Sequence, residues 1–185
     1  MRLVLASASP RRRELLDAAG IPFDVHAVDV DERQLDGELP FPYVERVARL
    51  KATTAAAKFP DRVVLGADTA VVVDGVVLGK PADPAEAASM LHKLSGRTHE
   101  VLTGIALARA GGVVSAVDRT LVWVDPLSDE EIRAYVATGE PLDKAGAYAV
   151  QGRASRFIPK IEGSYANVVG LPVALLNRLL RSVAV

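Results

Sequence analysis

Asp68 and Lys80 are the two side chains of this sequence whose surroundings point most directly to joint chemistry. Asp68 follows the apolar run 63–67 and reads as an acid delivered at the end of a buried strand, a common place for functional groups because strand ends of α/β proteins open into crevices. Apolar residues resume over 70–73, and Asp74-Gly75 ahead of Val76-Val77-Leu78 is a strong two-residue hairpin signal. The hairpin returns the chain to Leu78-Gly79-Lys80-Pro81, so that carboxylate and ammonium would face one cleft. Each also has an ordinary reading, Asp68 as the opening of a turn with Thr69 as its hydrogen-bond partner, and Lys80 as a solvated surface lysine.

A second group lies in Leu5-Ala6-Ser7-Ala8-Ser9-Pro10-Arg11-Arg12-Arg13. Ser9 as N-cap and Pro10 at the first helical position start a helix, and the unpaired N–H groups there attract anions. Ser7, Ser9, Arg11 and Arg12 would add hydroxyls and planar guanidinium forks that grip phosphate oxygens, the alternative being a capped surface helix with a basic turn. Asp29, Asp31 and Glu32 form an acidic cluster that either helps hold a divalent cation alongside substrate phosphates or is a solvated face. His26, His92 and His99 share no motif. Without cysteine, a Gly-x-Ser-x-Gly elbow, a Walker loop or Gly-x-Gly-x-x-Gly, the sequence gives no support to a covalent triad, a P-loop or a Rossmann site.

The elements that must position these groups alternate. Residues 3–6 read as a first strand. The helix after Ser9 would bury Leu15, Leu16 and Ala19 and close at Gly20, and an extended segment over 23–30 follows. A long helix over 43–58 turns Val44, Val47, Ala48, Ala52 and Ala55 to the core. Asp83-Pro84-Ala85-Glu86, an N-cap with a first-position proline and a capping-box acid, starts a helix reaching about residue 94, and Ser128-Asp129-Glu130-Glu131, a second capping box, starts another. Two long antiparallel strands are expected over 101–108 and 113–124, a short strand near 148–150 and a closing helix over 172–182. Helices alternating with hairpins predict a mixed α/β fold, with a mixed sheet and flanking helices, in one domain over 1–185.

The chain has 185 residues, half of them apolar and about a quarter charged, a globular balance. A net charge of −1 makes a small anionic ligand a better expectation than DNA or RNA. No apolar stretch approaches the ~20 residues that cross a bilayer. The run 3–6 is too short for a secretory signal, and cysteine is absent, so a cytoplasmic protein is expected.

Taken in order, Leu5-Ala6-Ser7-Ala8-Ser9-Pro10-Arg11-Arg12, Lys51-Ala52, Gly66-Ala67-Asp68-Thr69, Leu78-Gly79-Lys80-Pro81 and Leu94-Ser95-Gly96-Arg97-Thr98-His99 resemble the Maf family of nucleoside triphosphate pyrophosphatases. Gly139-Glu140-Pro141-Leu142-Asp143-Lys144-Ala145-Gly146-Ala147-Tyr148, Gln151-Gly152, Gly163-Ser164-Tyr165 and Val169-Gly170-Leu171-Pro172 extend the resemblance over nearly the whole chain. It implies cleavage of a nucleoside triphosphate between the α and β phosphates with a divalent metal, Mg²⁺ or Mn²⁺, in two lobes around a central cleft, a fold similar to that of the inosine triphosphatase group, and commonly a homodimer. By matching position it implies Asp68 as the catalytic carboxylate, either accepting the water's proton or holding the metal that activates it, Ser7, Arg11, Arg12, Lys51 and Lys80 on the triphosphate, and Glu32 beside Asp68 at the metal. Arg11, Thr69 and Gln151 are similar to the branch acting on dTTP and UTP rather than on 7-methyl-GTP. The family is also linked with septum formation, which leaves a binding role in cell division as the alternative. The chain departs from a frequent family pattern after Gln151-Gly152, where Arg153-Ala154-Ser155 lacks a second glycine.

Overall fold

The computed structural model describes residues 2–109 and 111–183. Its strands are β1 (Leu3–Leu5), β2 (Phe23–Val25), β3 (Val64–Val73), β4 (Val76–Leu78), β5 (Thr98–Arg109), β6 (Gly112–Trp123) and β7 (Lys160–Glu162). The helices are α1 (Pro10–Ala18), α2 (Pro40–Ala56), α3 (Pro84–Leu94), α4 (Asp129–Val136), α5 (Tyr165–Val169) and α6 (Val173–Val183). All seven strands form one sheet in the order β2-β1-β3-β5-β6-β7, with β4 on β3. β1 runs parallel to both β2 and β3, whereas β4 and β7 pair antiparallel, so the sheet is mixed as expected.

The chain divides into two compact units, one of residues 1–69, 103–118 and 170–185, the other of 70–102 and 119–169. Three of the four boundaries fall inside β3, β5 and β6, and the fourth follows α5.

In the first unit the strands show the period of two. Leu3 and Leu5 of β1, Leu65 and Ala67 of β3, and Ile105 and Leu107 of β5 pack with Leu16 of α1 and Leu176 of α6. The intervening Val4 and Val64 pack with Ala55 of α2, and Ala106 and Ala108 with Ala48 and Ala52 of the same helix. One sheet face thus carries α1 and α6, the other α2. Glycine sets how close α2 comes. A Cβ on Gly66 would stand 2.2 Å from the Ala48 carbonyl oxygen, and one on Gly104 would stand 2.4 Å from that of Val44. Helix backbone therefore lies against strand backbone at two points, a use of glycine inside strands.

In the second unit α3 packs with α4 and with 3₁₀ turns over 140–143 and 145–147. Asp74 and Gly75 take positive φ values of 52° and 75°, as a type I′ hairpin requires, and Val73 faces Val76. Ser128 and Glu131 form the expected capping box of α4. Asp83 accepts from the Glu86 N–H, but the Glu86 carboxylate reaches the N–H of Ala82 instead of closing a box on Asp83.

Several expectations need correction. The runs expected over 63–67 and 70–73 merge into one strand over 64–73, and Asp68 lies in its middle rather than at an end, because both members of its polar pair find buried partners. Ala19 is exposed, and Arg12 takes its place on the buried stripe of α1 with Leu16. Only three residues of the segment 23–30 pair as a strand. The helix expected from 43 starts at Pro40, since Pro40 and Pro42 sit in the first turn, where a missing N–H breaks no helical bond. Residues 148–150 form no strand; 3₁₀ turns surround them, and the strand of this region is β7.

Candidate active site

Asp68 and Thr69 are consecutive on β3 and so face opposite sides of the sheet. Asp68 shares the side of Val64 and Gly66 and meets α2, where Lys51 Nζ donates to its Oδ1 at 2.9 Å. The close seat of α2 on Gly66 brings Lys51, between Ala48 and Ala52, down to that carboxylate. The same Nζ lies 2.9 Å from Glu32 Oε2, so two carboxylates converge on one ammonium. Lys51 and Asp68 are buried, at 7% and 6% exposure, while Glu32 opens to solvent. Burial raises the Asp68 pKa, and the charges of Lys51 and Arg12 oppose that rise. Tyr43 donates to the Glu32 carbonyl at 2.9 Å, and Arg46 holds Glu38 with two N–H groups and the Arg33 carbonyl with one of them, tying this loop to α2. Burial, then the charges of Asp68 and Glu32, push the Tyr43 phenol up to about 12. Of the acidic cluster, Asp31 is taken by Arg33, with bonds of 2.7 and 2.9 Å, and Glu32 is the member that reaches Lys51.

Thr69 shares the other side with Leu65 and Ala67 and meets α1. Arg12 is buried there, its Nη2 donating to Thr69 Oγ1 at 3.2 Å, Nη1 to Ser7 Oγ at 3.0 Å and Nε to the Gly170 carbonyl at 2.9 Å. Three of its five N–H groups are therefore spent on the protein, and two remain. Burial is the main cause lowering its pKa, and Asp68 and Glu32 counteract it. Ser7 Oγ also accepts the Ser9 N–H at 3.2 Å; with both lone pairs engaged, its hydroxyl can act only as a donor. Thr69 Oγ1 stands 2.9 Å from Thr103 Oγ1, which is fully buried on β5. Arg11 is half-buried one residue before Arg12.

Seven of the nine residues expected at the site, Ser7, Arg11, Arg12, Glu32, Lys51, Asp68 and Thr69, belong to the first unit. Lys80 and Gln151 are exposed residues of the second unit. The carbonyl just before Lys80, that of Gly79, accepts from Gly146 N at 3.0 Å, within a turn where Gly146 and Ala147 both have positive φ. Sequence reasoning missed Thr103 and the Gly170 carbonyl, which complete the Arg12 network. No local signal marks a buried threonine on β5; Gly66 and Gly104, glycines inside apolar runs, carried a signal of close backbone approach that the sequence reading did not use.

Comparison with solved structures defines the fold class. The Ham1 protein of Staphylococcus aureus matches over 98% of this chain and 99% of its own, with a TM-score of 0.57 at 17% identity. A HAM1 protein from Coxiella burnetii matches over the same shares with a TM-score of 0.56 at 15% identity. The chain has the mixed α/β fold of that group. Its sequence matches the family described as Maf-like protein over residues 2–183, and the chain belongs to the Maf family. The dTTP/UTP pyrophosphatase of Symbiobacterium thermophilum is 56% identical over 93% of this chain and 89% of its own length. That of Koribacter versatilis is 52% identical over 100% and 96%.

Proposed function

We propose that this protein hydrolyses nucleoside triphosphates, dTTP and UTP by preference, to the monophosphate and pyrophosphate, and so removes surplus or altered pyrimidine nucleotides. The observation that carries the reading is identity of 52–56% along nearly the entire chain to proteins named for that activity. The buried Lys51–Asp68 pair supports it, since a protein that only bound nucleotide would gain nothing from an acid held this way.

Asp68 is the general base. Its raised pKa makes it a better proton acceptor than an exposed aspartate, and Lys51 fixes which oxygen remains available. The attacking water gives its proton to Asp68 as its oxygen bonds to phosphorus, and the bond between the α and β phosphates breaks. Negative charge then grows on the leaving pyrophosphate. Ser7 donates its hydroxyl to the phosphates, and Arg11, Lys80 and the two uncommitted N–H groups of Arg12 supply positive charge. Thr69 and Gln151 read the base.

Asp68 and Glu32 suit a divalent cation, because their oxygens already converge on one cationic atom. Among the described residues no cluster of three or more His, Cys, Asp or Glu is present, so such an ion would complete its shell with substrate phosphates and water, as Mg²⁺ commonly does. When bound it would neutralise charge developing on the phosphates. We take the protein to be dimeric on the family resemblance and cytoplasmic on its cysteine-free composition; among the described residues no helix is long and apolar enough to cross a membrane.

The test is product analysis with Mg²⁺ or Mn²⁺ over dTTP, UTP, dCTP, dATP, dGTP and 7-methyl-GTP. Pyrophosphate and monophosphate in equal amounts, fastest from dTTP and UTP, are expected. Orthophosphate as first product, or 7-methyl-GTP as best substrate, would overturn the reading.

A further inference from the structure

Gln151 is exposed, yet its backbone is held with unusual care. The Gly152 N–H donates to the Ala149 carbonyl at 3.1 Å, closing a tight turn with Gln151 at its second corner. Val150, the first corner, points inward and is buried. Two residues from α4 and the turn after it grip this corner on both sides. Glu140 Oε2 accepts the Arg153 N–H at 3.1 Å, just beyond the corner. Glu140 Oε1 accepts the Tyr135 hydroxyl at 2.8 Å, and the Ala149 backbone, just before the corner, hydrogen-bonds Tyr135 in turn. Tyr135 is buried, and its ring meets Phe157 edge-on at 6.1 Å. Gly152 completes the fit, since a Cβ there would lie 2.1 Å from Glu140 Oε1.

We propose that Glu140, oriented by Tyr135, is a positioning residue for Gln151, fixing the turn that aims its carboxamide and thereby setting base preference. This rests on Gln151 reading the base, as proposed above. A carboxamide discriminates by placing its donor and acceptor against a base edge, so selectivity depends on where the turn holds it. The same clamp engages Arg153. Arg153 begins a 3₁₀ turn, has no positive φ, and contributes its N–H to Glu140, so this position needs no glycine.

The test compares kcat/KM for dTTP and dCTP, whose bases are alike in size but reversed in donor and acceptor order at the edge that differs. Wild type, Glu140→Gln, Tyr135→Phe, Gln151→Ala and the double variant Glu140→Gln/Gln151→Ala are measured, with melting temperatures to establish folding. Glu140→Gln keeps the shape but offers only one carbonyl oxygen where two acceptors are needed. Loss of dTTP over dCTP preference by about tenfold or more is expected, since displacement by about 1 Å can cost ~100-fold. The double variant should match Gln151→Ala alone, because Glu140 acts through Gln151. If Glu140→Gln melts below the assay temperature, Tyr135→Phe carries the test with a smaller loss in the same direction. Unchanged preference in Glu140→Gln and Tyr135→Phe, with Gln151→Ala altered, would overturn the positioning role alone. Unchanged preference in Gln151→Ala would overturn the base-reading role and the inference together. Multiplicative losses in the double variant would show Glu140 acting by another route and overturn the inference.

Discussion

Replacing Gly66 by alanine tests whether the seat of α2 on β3 places the catalytic pair. The new Cβ would stand 2.2 Å from the Ala48 carbonyl oxygen, 2.6 Å from Ala52 N and 2.9 Å from Ala52 Cβ, whereas ordinary contact begins at 3.4 Å. The first two atoms are helix backbone, so no side-chain rotation relieves the clash, and α2 must retreat by about 1 Å. Overpacking of this kind costs roughly 1–3 kcal/mol. Lys51 lies between the two obstructed residues, and a shift of that size away from β3 stretches its 2.9 Å bond to Asp68 beyond hydrogen-bonding range. Misplacement of a catalytic group by about 1 Å lowers turnover on the order of 100-fold. The assay is pyrophosphate release at a temperature where circular dichroism shows the variant folded, alongside urea unfolding. Gly104→Ala obstructs the same helix two turns before Lys51, at the Val44 carbonyl, and should cost similar stability with a smaller loss of turnover. Gly112→Ala, with no atom within 4 Å of its Cβ, should change neither property. Wild-type stability and turnover in Gly66→Ala would refute the claim that this glycine seats the lysine.

Two further predictions concern charge. Lys51→Met removes the partner that opposes the burial-driven rise of the Asp68 pKa, so that pKa rises further and the acid limb of the pH–rate profile should move to higher pH, with stability lowered by roughly 3–5 kcal/mol; an acid limb that stays in place or moves down would contradict the coupling. His99, 2% exposed and 2.6 Å from the Tyr148 hydroxyl, has its pKa lowered by burial to about 4. Between an unfolded value of about 6.5 and that folded value the unfolded chain binds the extra proton, so the native state loses stability as pH falls, at up to ~1.4 kcal/mol per pH unit. Urea unfolding from pH 7 to 5 should therefore show about 2 kcal/mol more loss in wild type than in His99→Gln, and equal pH dependence in the two would rule out a buried neutral imidazole.

Local chemistry made part of this fold legible. The Ser9, Asp83 and Ser128 caps and the Asp74-Gly75 turn rest on side chains and φ values within four residues, and all four stand where the sequence put them. The break expected at Asp68-Thr69 does not exist, because two polar residues in an apolar run read as a strand's end unless their buried partners are known. Those partners, Lys51, Arg12 and Thr103, come from α2, α1 and β5, 17 and 57 residues upstream and 34 downstream, and no window of sequence connects them. The 3₁₀ turns of 140–157 were equally illegible, since packing against α3 and the Glu140 and Tyr135 bonds hold them more than propensity does. The Gln151-Gly152 pair could be read as a motif, while the reason for its glycine, a carboxylate where a Cβ would sit, could not.

The most direct measurement of the central claim is pyrophosphate release from dTTP and UTP by wild type and Asp68→Asn, with nucleotide affinity measured on both by calorimetry. Rapid release by wild type, a loss of about 100-fold or more in the variant and retained nucleotide binding are expected, since a positioned general base contributes roughly 10²–10⁴. Release undiminished in Asp68→Asn would contradict the role of Asp68, and no release by wild type from either nucleotide would contradict the enzyme reading itself.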